Sequence, residues 1–229
     1  MQRPCVNKRS LISTLVVAAA ACGAGAAHAQ AAGDVMVQIG WDKIMPKVKS
    51  GDLSQPSLPG TKIDIRSASA LFATLTYMVT GDISVEVLGG APYKHDVVGA
   101  GAASGLGKIG TVHQIAPTLL LQYRFLPADA PWRPYVGAGP TFAKFYDAKG
   151  SAVLTQVTNP GGPPTRISTD SAWGGTLQAG ANYKFDKHWF VDASILKTFI
   201  STKATLSTGQ SASARLDPVA INASVGYTF

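Results

Sequence analysis

The sequence predicts an all-β protein: an eight-stranded antiparallel transmembrane β-barrel with short periplasmic turns and long extracellular loops. Three observations carry that prediction. Apolar and polar residues alternate with period two in eight separate segments, the connections alternate between short and long, and aromatic residues gather at the segment ends. Beyond residue 29 no stretch of about 18 apolar residues runs without a polar break, which excludes a membrane-spanning helix there. Barrel strands escape such a search because alternation conceals their apolar face.

The segments follow in order. In the first, Val35, Val37, Ile39 and Trp41 share one face, and Gln38, Gly40 and Asp42 share the other. The second sets Leu71, Ala73, Leu75, Tyr77 and Val79 against Thr74 and Thr76, and ends in the tight turn Thr80-Gly81-Asp82. The third places Ile83, Val85, Val87 and Ala91 opposite Ser84, Glu86, Leu88 and Gly90. The fourth places Leu119, Leu121, Tyr123 and Phe125 opposite Thr118, Gln122 and Arg124. The fifth, over residues 135–145, is rich in glycine and alternates more weakly. In the sixth, Trp173, Leu177, Ala179, Ala181, Tyr183 and Phe185 oppose Thr176, Gln178, Asn182 and Lys184. The seventh sets Trp189, Val191, Ala193 and Ile195 against Asp192 and Ser194. The eighth sets Val219, Ile221, Ala223, Val225, Tyr227 and Phe229 against Asn222, Ser224 and Thr228.

Short connections fall near residues 80–82, 126–132 and 186–188, and long ones near 43–66, 94–113, 146–169 and 201–214. Trp41, Tyr77, Tyr123, Phe125, Tyr135, Phe145, Tyr183, Phe185, Trp189 and Tyr227 form the aromatic ends expected at two membrane interfaces. Lipid offers no hydrogen-bond partner to a free strand edge, so the sheet must close on itself. A soluble β-sandwich also alternates. The loop asymmetry, the aromatic ends and the N-terminal segment favour the barrel.

That N-terminal segment reads as a secretory signal over residues 1–29, leaving residues 30–229 as the barrel domain. Arg3, Lys8 and Arg9 supply its basic region, residues 11–21 its apolar core, and Ala27-His28-Ala29 its cleavage site. An uncleaved anchor would need a longer apolar core. A lipoprotein reading through Cys22 lacks the large apolar residue usually found before the modified cysteine. Cys5 and Cys22, the two cysteines, both fall inside the signal, so the mature chain has no thiol, disulfide or cysteine-based metal site. Removing the three basic residues of the signal leaves seventeen against thirteen acids, a net +4 without basic clusters. Nucleic acid is therefore not an expected partner. Outer-membrane lipid is, and the expected state is a monomer.

The residues also resemble a known family, the OmpW outer-membrane proteins, over nearly the whole mature chain. The resemblance rests on Thr76-Tyr77-Met78, Val85-Glu86-Val87-Leu88, Ala91-Pro92-Tyr93-Lys94-His95, Ala116-Pro117-Thr118-Leu119 and Arg133-Pro134-Tyr135-Val136-Gly137-Ala138-Gly139. Asp170-Ser171-Ala172-Trp173-Gly174, Arg215-Leu216-Asp217-Pro218 and the terminal Gly226-Tyr227-Thr228-Phe229 complete the ordered set. It implies an eight-stranded barrel and passive uptake of small hydrophobic molecules. Tyr227 and Phe229 resemble the C-terminal signal read by the barrel-assembly machinery, which is then a second expected partner.

An eight-stranded barrel is just wide enough to be filled by its own side chains, so a broad aqueous pore is not expected. Parity points Leu88 and Leu196 inward, and Phe72 and Phe142 as well, near the loop ends. Parity alone favours a small apolar plug. The family resemblance, which implies apolar gate residues at Leu88 and Leu196, turns the reading toward a hydrophobic constriction. In the second position leucine stands where an aromatic can occur. Glu86, Arg124, Lys184 and Asp192 are expected to form a paired polar network filling the lumen. Loops 43–66 and 94–113 are expected to form the entrance.

Enzymatic signals are poor. His95, Asp96 and His113 sit beside one loop without a third firm ligand, residues 99–107 follow no βαβ pattern, and no nucleophile motif occurs. Asn159-Pro160-Gly161-Gly162-Pro163-Pro164 reads as a loop tip. No catalytic residue, cofactor or metal is expected. The alternative to a channel is a non-conducting barrel acting through its loops in adhesion or reception.

Overall fold

The computed structural model describes residues 30–229; the signal segment expected over residues 1–29 lies outside them. β1 (Val35–Met45) rises from the short-turn end into a loop that carries β2 (Lys49–Ser50) and β3 (Thr61–Ile65). β4 (Ala68–Met78) and β5 (Ile83–Gly90) form the next hairpin, followed by β6 (Tyr93–Gly101) and β7 (Lys108–Ile115) in the second long connection. β8 (Thr118–Arg124) leads to β9 (Trp132–Gly150), and a short helix α1 (Ala152–Thr158) and β10 (Ile167–Thr169) occupy the third loop. β11 (Ala172–Lys184) and β12 (Trp189–Phe199) follow, then β13 (Ser201–Leu206) and β14 (Ser211–Arg215) in the fourth loop, and finally β15 (Val219–Thr228).

Eight of these strands close the barrel in the order β1-β4-β5-β8-β9-β11-β12-β15, and β15 returns to β1. The ladder partners Val35, Tyr77, Val85, Leu121, Ala138, Leu177, Lys197, Val219 and Met45 trace one circuit of the wall. The circuit leaves β1 at Val35 and returns to it at Met45, ten positions higher. That stagger is the strand tilt a closed sheet requires, and with eight strands it leaves a lumen the width of side chains.

Burial inverts the pattern of a soluble protein. Leu121 is 60% exposed and Leu75, Leu177 and Ile195 also point outward, while Arg124 is fully buried and Glu86 is 1% exposed. Lipid takes the place of water around the apolar face, and every ladder hydrogen bond stays inside the wall. Tyr135 and Phe145 depart from the expected aromatic girdle: both are buried and point inward. Their face of β9 also carries Gly137 and Gly139, which have no side chain to reveal parity. Gly180 leaves the space that the Tyr135 ring fills, since a Cβ there would lie 2.6 Å from its hydroxyl.

The long loops are structured. β3, β6, β7 and the upper part of β9 pair into one sheet, and β10, β13, β14 and β2 into another. Together they extend the wall beyond the membrane around a second apolar core, which includes Val97, Ile109, Val112, Phe145, Leu154 and Leu216.

Candidate functional site: a stacked lumen

The lumen is layered. At the short-turn end Met36, Met78 and Phe190 form an apolar floor, and a Cβ at Gly226 would collide with the Phe190 ring. Arg133 closes the same end by donating to the carbonyls of Gln30, at 3.1 Å, and Gly81, at 2.6 Å.

A polar network lies above this floor. The Arg124 guanidinium donates to Ser84 Oγ at 3.0 Å, to Gln122 Oε1 at 2.8 Å and to Asn182 Oδ1. Asn182 passes the chain to Asp192 at 2.6 Å, and the Tyr135 hydroxyl also donates to Asp192, at 2.9 Å to one oxygen. On the other side Gln122 donates to Gln178, and Gln178 and Thr76 both donate to Glu86, at 3.2 and 3.0 Å. Arg124 is stacked 4.9 Å from the centre of the Tyr135 ring. The expected charge pairing of Glu86, Arg124 and Asp192 thus runs through amide and hydroxyl side chains. Amide relays suit a narrow lumen because they spread the guanidinium's donors over several strands.

Lys184 sits elsewhere than expected. It shares the inward parity, but its ammonium reaches the Ala128 carbonyl at the short-turn rim, and Asn182 takes the place beside Arg124. Arg133 and Tyr135, one strand away, were not read as lumen residues from the sequence. Their shared parity across Pro134 is the signal that could have found them.

Phe72, Leu88, Leu120 and Leu196 pack together above the network, with Ala220 against them. Phe72, Leu88 and Leu196 are brought together as the inward parity requires. Phe142 is not among them. It pairs across the β9–β11 ladder with Trp173, which is 71% exposed, and meets it at a tilt of 45° with ring centres 5.0 Å apart. Its neighbours Thr141 and Ala143 are the buried ones, so Phe142 faces outward with Val136 and Ala138. Leu120 fills the fourth place. Its parity was masked by the run Leu119-Leu120-Leu121, although Gln122 and Arg124 on the same face could have revealed it. A ladder of hydroxyls, Thr118 to Thr141 at 2.8 Å, Thr141 to Thr176 at 2.5 Å and Thr176 to Thr198 at 2.8 Å, crosses β8, β9, β11 and β12.

The loop extension holds a cavity of about 290 Å³. All four long loops wall it, through Leu53 and Leu58, Ala103 and Leu106, Leu154 and Val157, and Leu206 and Ala212. The two loops expected at the entrance are therefore half of it. A smaller cavity of about 40 Å³ beneath shares Ile63, Val97, Ile167 and Ala204 with it. Both are walled mainly by aliphatic side chains.

His95 and His113 point to opposite faces of the β6–β7 sheet, because the ladder pairs His95 with Val112 and Lys94 with His113. His95 is buried with Nδ1 on the Arg66 carbonyl, whereas His113 stacks on Tyr146 and approaches Asp147 at 3.5 Å.

Residues 31–229 match the OmpW family. Outer membrane protein W of Vibrio cholerae is 30% identical over 226 residues, which cover 97% of this chain and all of that protein. The dibenzothiophene metabolism operon protein PahQ of Pseudomonas aeruginosa is 30% identical, with 77% of this chain and 79% of that protein aligned. The crystal structure of the outer membrane protein OprG from Pseudomonas aeruginosa superposes with a TM-score of 0.80 at 25% identity, covering 88% of this chain and 98% of that one.

Proposed function

The chain belongs to the OmpW family of Gram-negative outer-membrane barrels, and from that premise we propose that it admits small apolar molecules through a passage narrowed by Phe72, Leu88, Leu120 and Leu196. One observation carries the reading: an aliphatic cavity walled by all four outer loops stands on the loop side of an apolar ring in a membrane barrel. An apolar solute leaves water once, at the cavity, and meets no further desolvation cost at the ring. An ion would lose its hydration shell there, which costs far more, and a narrow apolar neck also excludes water. The operon name of the relative PahQ, which refers to a fused aromatic sulfur compound, supports solutes of this kind. Below the ring the hydrogen-bonded network interrupts any apolar route and the Met36–Met78–Phe190 floor closes the end, so the reading takes the exit to lie at the ring.

Uptake by cells tests the proposal. Cells carrying the protein should take up a fluorescent apolar probe faster than cells without it, with no gain for a polar probe of the same size. Leu88→Asp should return apolar uptake to the level of cells without the protein, provided heat-modifiable mobility shows that the variant folds. Equal uptake with and without the wild-type barrel would overturn the reading. The filled lumen favours a second reading, a non-conducting barrel acting through its loops, and equal uptake is the outcome that reading expects.

A further inference from the structure

We propose that Asp42 and Asn222 form a hydrogen-bond-accepting subsite in the wall of the apolar ring, which selects small apolar molecules carrying one N–H or O–H donor. The proposal rests on the passage reading and names its solute class. Around the barrel the ring is apolar at Phe72 on β4, Leu88 on β5, Leu120 on β8 and Leu196 on β12. Between Leu196 and Phe72 lie β15 and β1, where the inward side chains at this height are Asn222 and Asp42. The two are direct ladder partners. Asp42 is diagonal to Phe72, whose own partner is Gly40, and Asn222 is diagonal to Leu196, whose own partner is Ala220. Diagonal neighbours on one sheet face lie within side-chain reach. Ala220 contacts both the ring and the layer above it, which contains Ile44, Ala70 and Tyr93.

Asp42 and Asn222 are each 2% exposed, yet Asp42 Oδ1 and Asn222 Oδ1 have no hydrogen-bond partner among the described residues. The second Asp42 oxygen accepts from the Tyr93 hydroxyl, which holds the carboxylate in place from above. Thr74 Oγ1, on the strand beside β1 and directly opposite Leu88, is likewise unpartnered. The contrast with the network below is informative, because there Glu86, Arg124 and Asp192 are all engaged. A buried acceptor without a donor is costly, so a pair of them beside an apolar ring points to a ligand that brings the donor. The Tyr93 hydroxyl already donates to Asp42, and the free atom of Asn222 is its carbonyl oxygen, so the wall presents acceptors and the partner must bring the donor. Ordered water could serve the same oxygens. A solute with a donor reproduces that water's hydrogen bond on displacing it, whereas a pure hydrocarbon does not.

The test is equilibrium binding of three matched probes to the refolded full-length barrel in lipid nanodiscs: 2-naphthol, 2-methoxynaphthalene and naphthalene. In the wild type 2-naphthol should bind about tenfold more tightly than 2-methoxynaphthalene, the scale of one well-made buried hydrogen bond. Asn222→Leu and Asp42→Asn should each narrow that ratio toward unity. Equal binding of the three probes by the wild type, with apolar uptake by cells intact, overturns the subsite and leaves the passage standing. If the barrel binds none of them and gives no uptake, the passage reading falls and the subsite with it. The wild-type comparison needs no variant, so misfolding of either substitution cannot shield the proposal.

Discussion

Leu121 and Gln178 show how the solvent reverses at the level of single residues. Leu121 points into lipid, and an arginine there should cost about 2–4 kcal/mol at mid-bilayer depth. Gln178 points into the lumen, where it accepts from Gln122 and donates to Glu86. Gln178→Leu makes the interior more apolar, which would help a soluble core. Here it strips the Gln122 amide and a Glu86 oxygen of partners and should destabilise by about 1–3 kcal/mol. Urea unfolding in phospholipid bilayers measures both variants. A neutral Gln178→Leu would mean that the network does not hold the lumen together. Arg124 is the most exacting member, since its removal would leave two buried carboxylates uncompensated.

Among the elements, β6 and β7 turn a long connection into a wall. His95 on β6 faces inward, with the Arg66 carbonyl, Gln114, Asp96 and the Tyr93 ring about it. Burial holds its imidazole below the ordinary value of 6.5, against the pull of Arg66, Gln114 and Asp96. The folded ring therefore stays neutral while an opened chain takes up a proton below about pH 6.5. In that window the open form binds more protons, so the outer sheet loses stability as the pH falls and keeps it above. Amide exchange in β6 and β7, corrected for its intrinsic rate, should quicken between pH 7.5 and 5. His95→Gln should flatten the response. An identical acid response in that variant would assign the effect to other groups.

For the molecule as a whole, closure is the decisive event. β15 pairs with β1 along ten positions, and the Phe229 amide adds a final bond to the Val35 carbonyl at 2.9 Å. The Phe229 ring is exposed at the lipid face, touching Tyr227 edge-on with centres 4.9 Å apart. A side chain so placed contributes little to the closed wall, at most about 1.5 kcal/mol from the aromatic pair. If it serves insertion, Phe229→Ala should sharply lower the amount of heat-modifiable barrel in the outer membrane and hardly move the unfolding midpoint of the barrel that does fold. Normal yield would sink the assembly role.

The outward faces were legible in the chain itself, because in a strand the side-chain direction has period two and lipid enforces apolarity on every second residue of Val35–Met45 or Ala68–Met78. Strand number, closure and the inward parity of Phe72, Leu88 and Leu196 follow from that rule and from the alternation of turns. The rule fails where its markers vanish. Glycines on β9 concealed Tyr135, a run of three leucines concealed Leu120, and Phe142 was assigned to the wrong face. Four connections that read only as long loops became wall, since β6 finds β7 and β13 finds β14 through pairings that local composition does not reveal. Above all, the tertiary structure decided which buried polar groups meet. Arg124 joins Asn182 across 58 residues and Glu86 joins Gln178 across 92, while Asp42 and Asn222 are brought side by side from opposite ends of the described chain. Parity turns a side chain inward, but the stagger of the closed sheet sets its height, and height determines its partners.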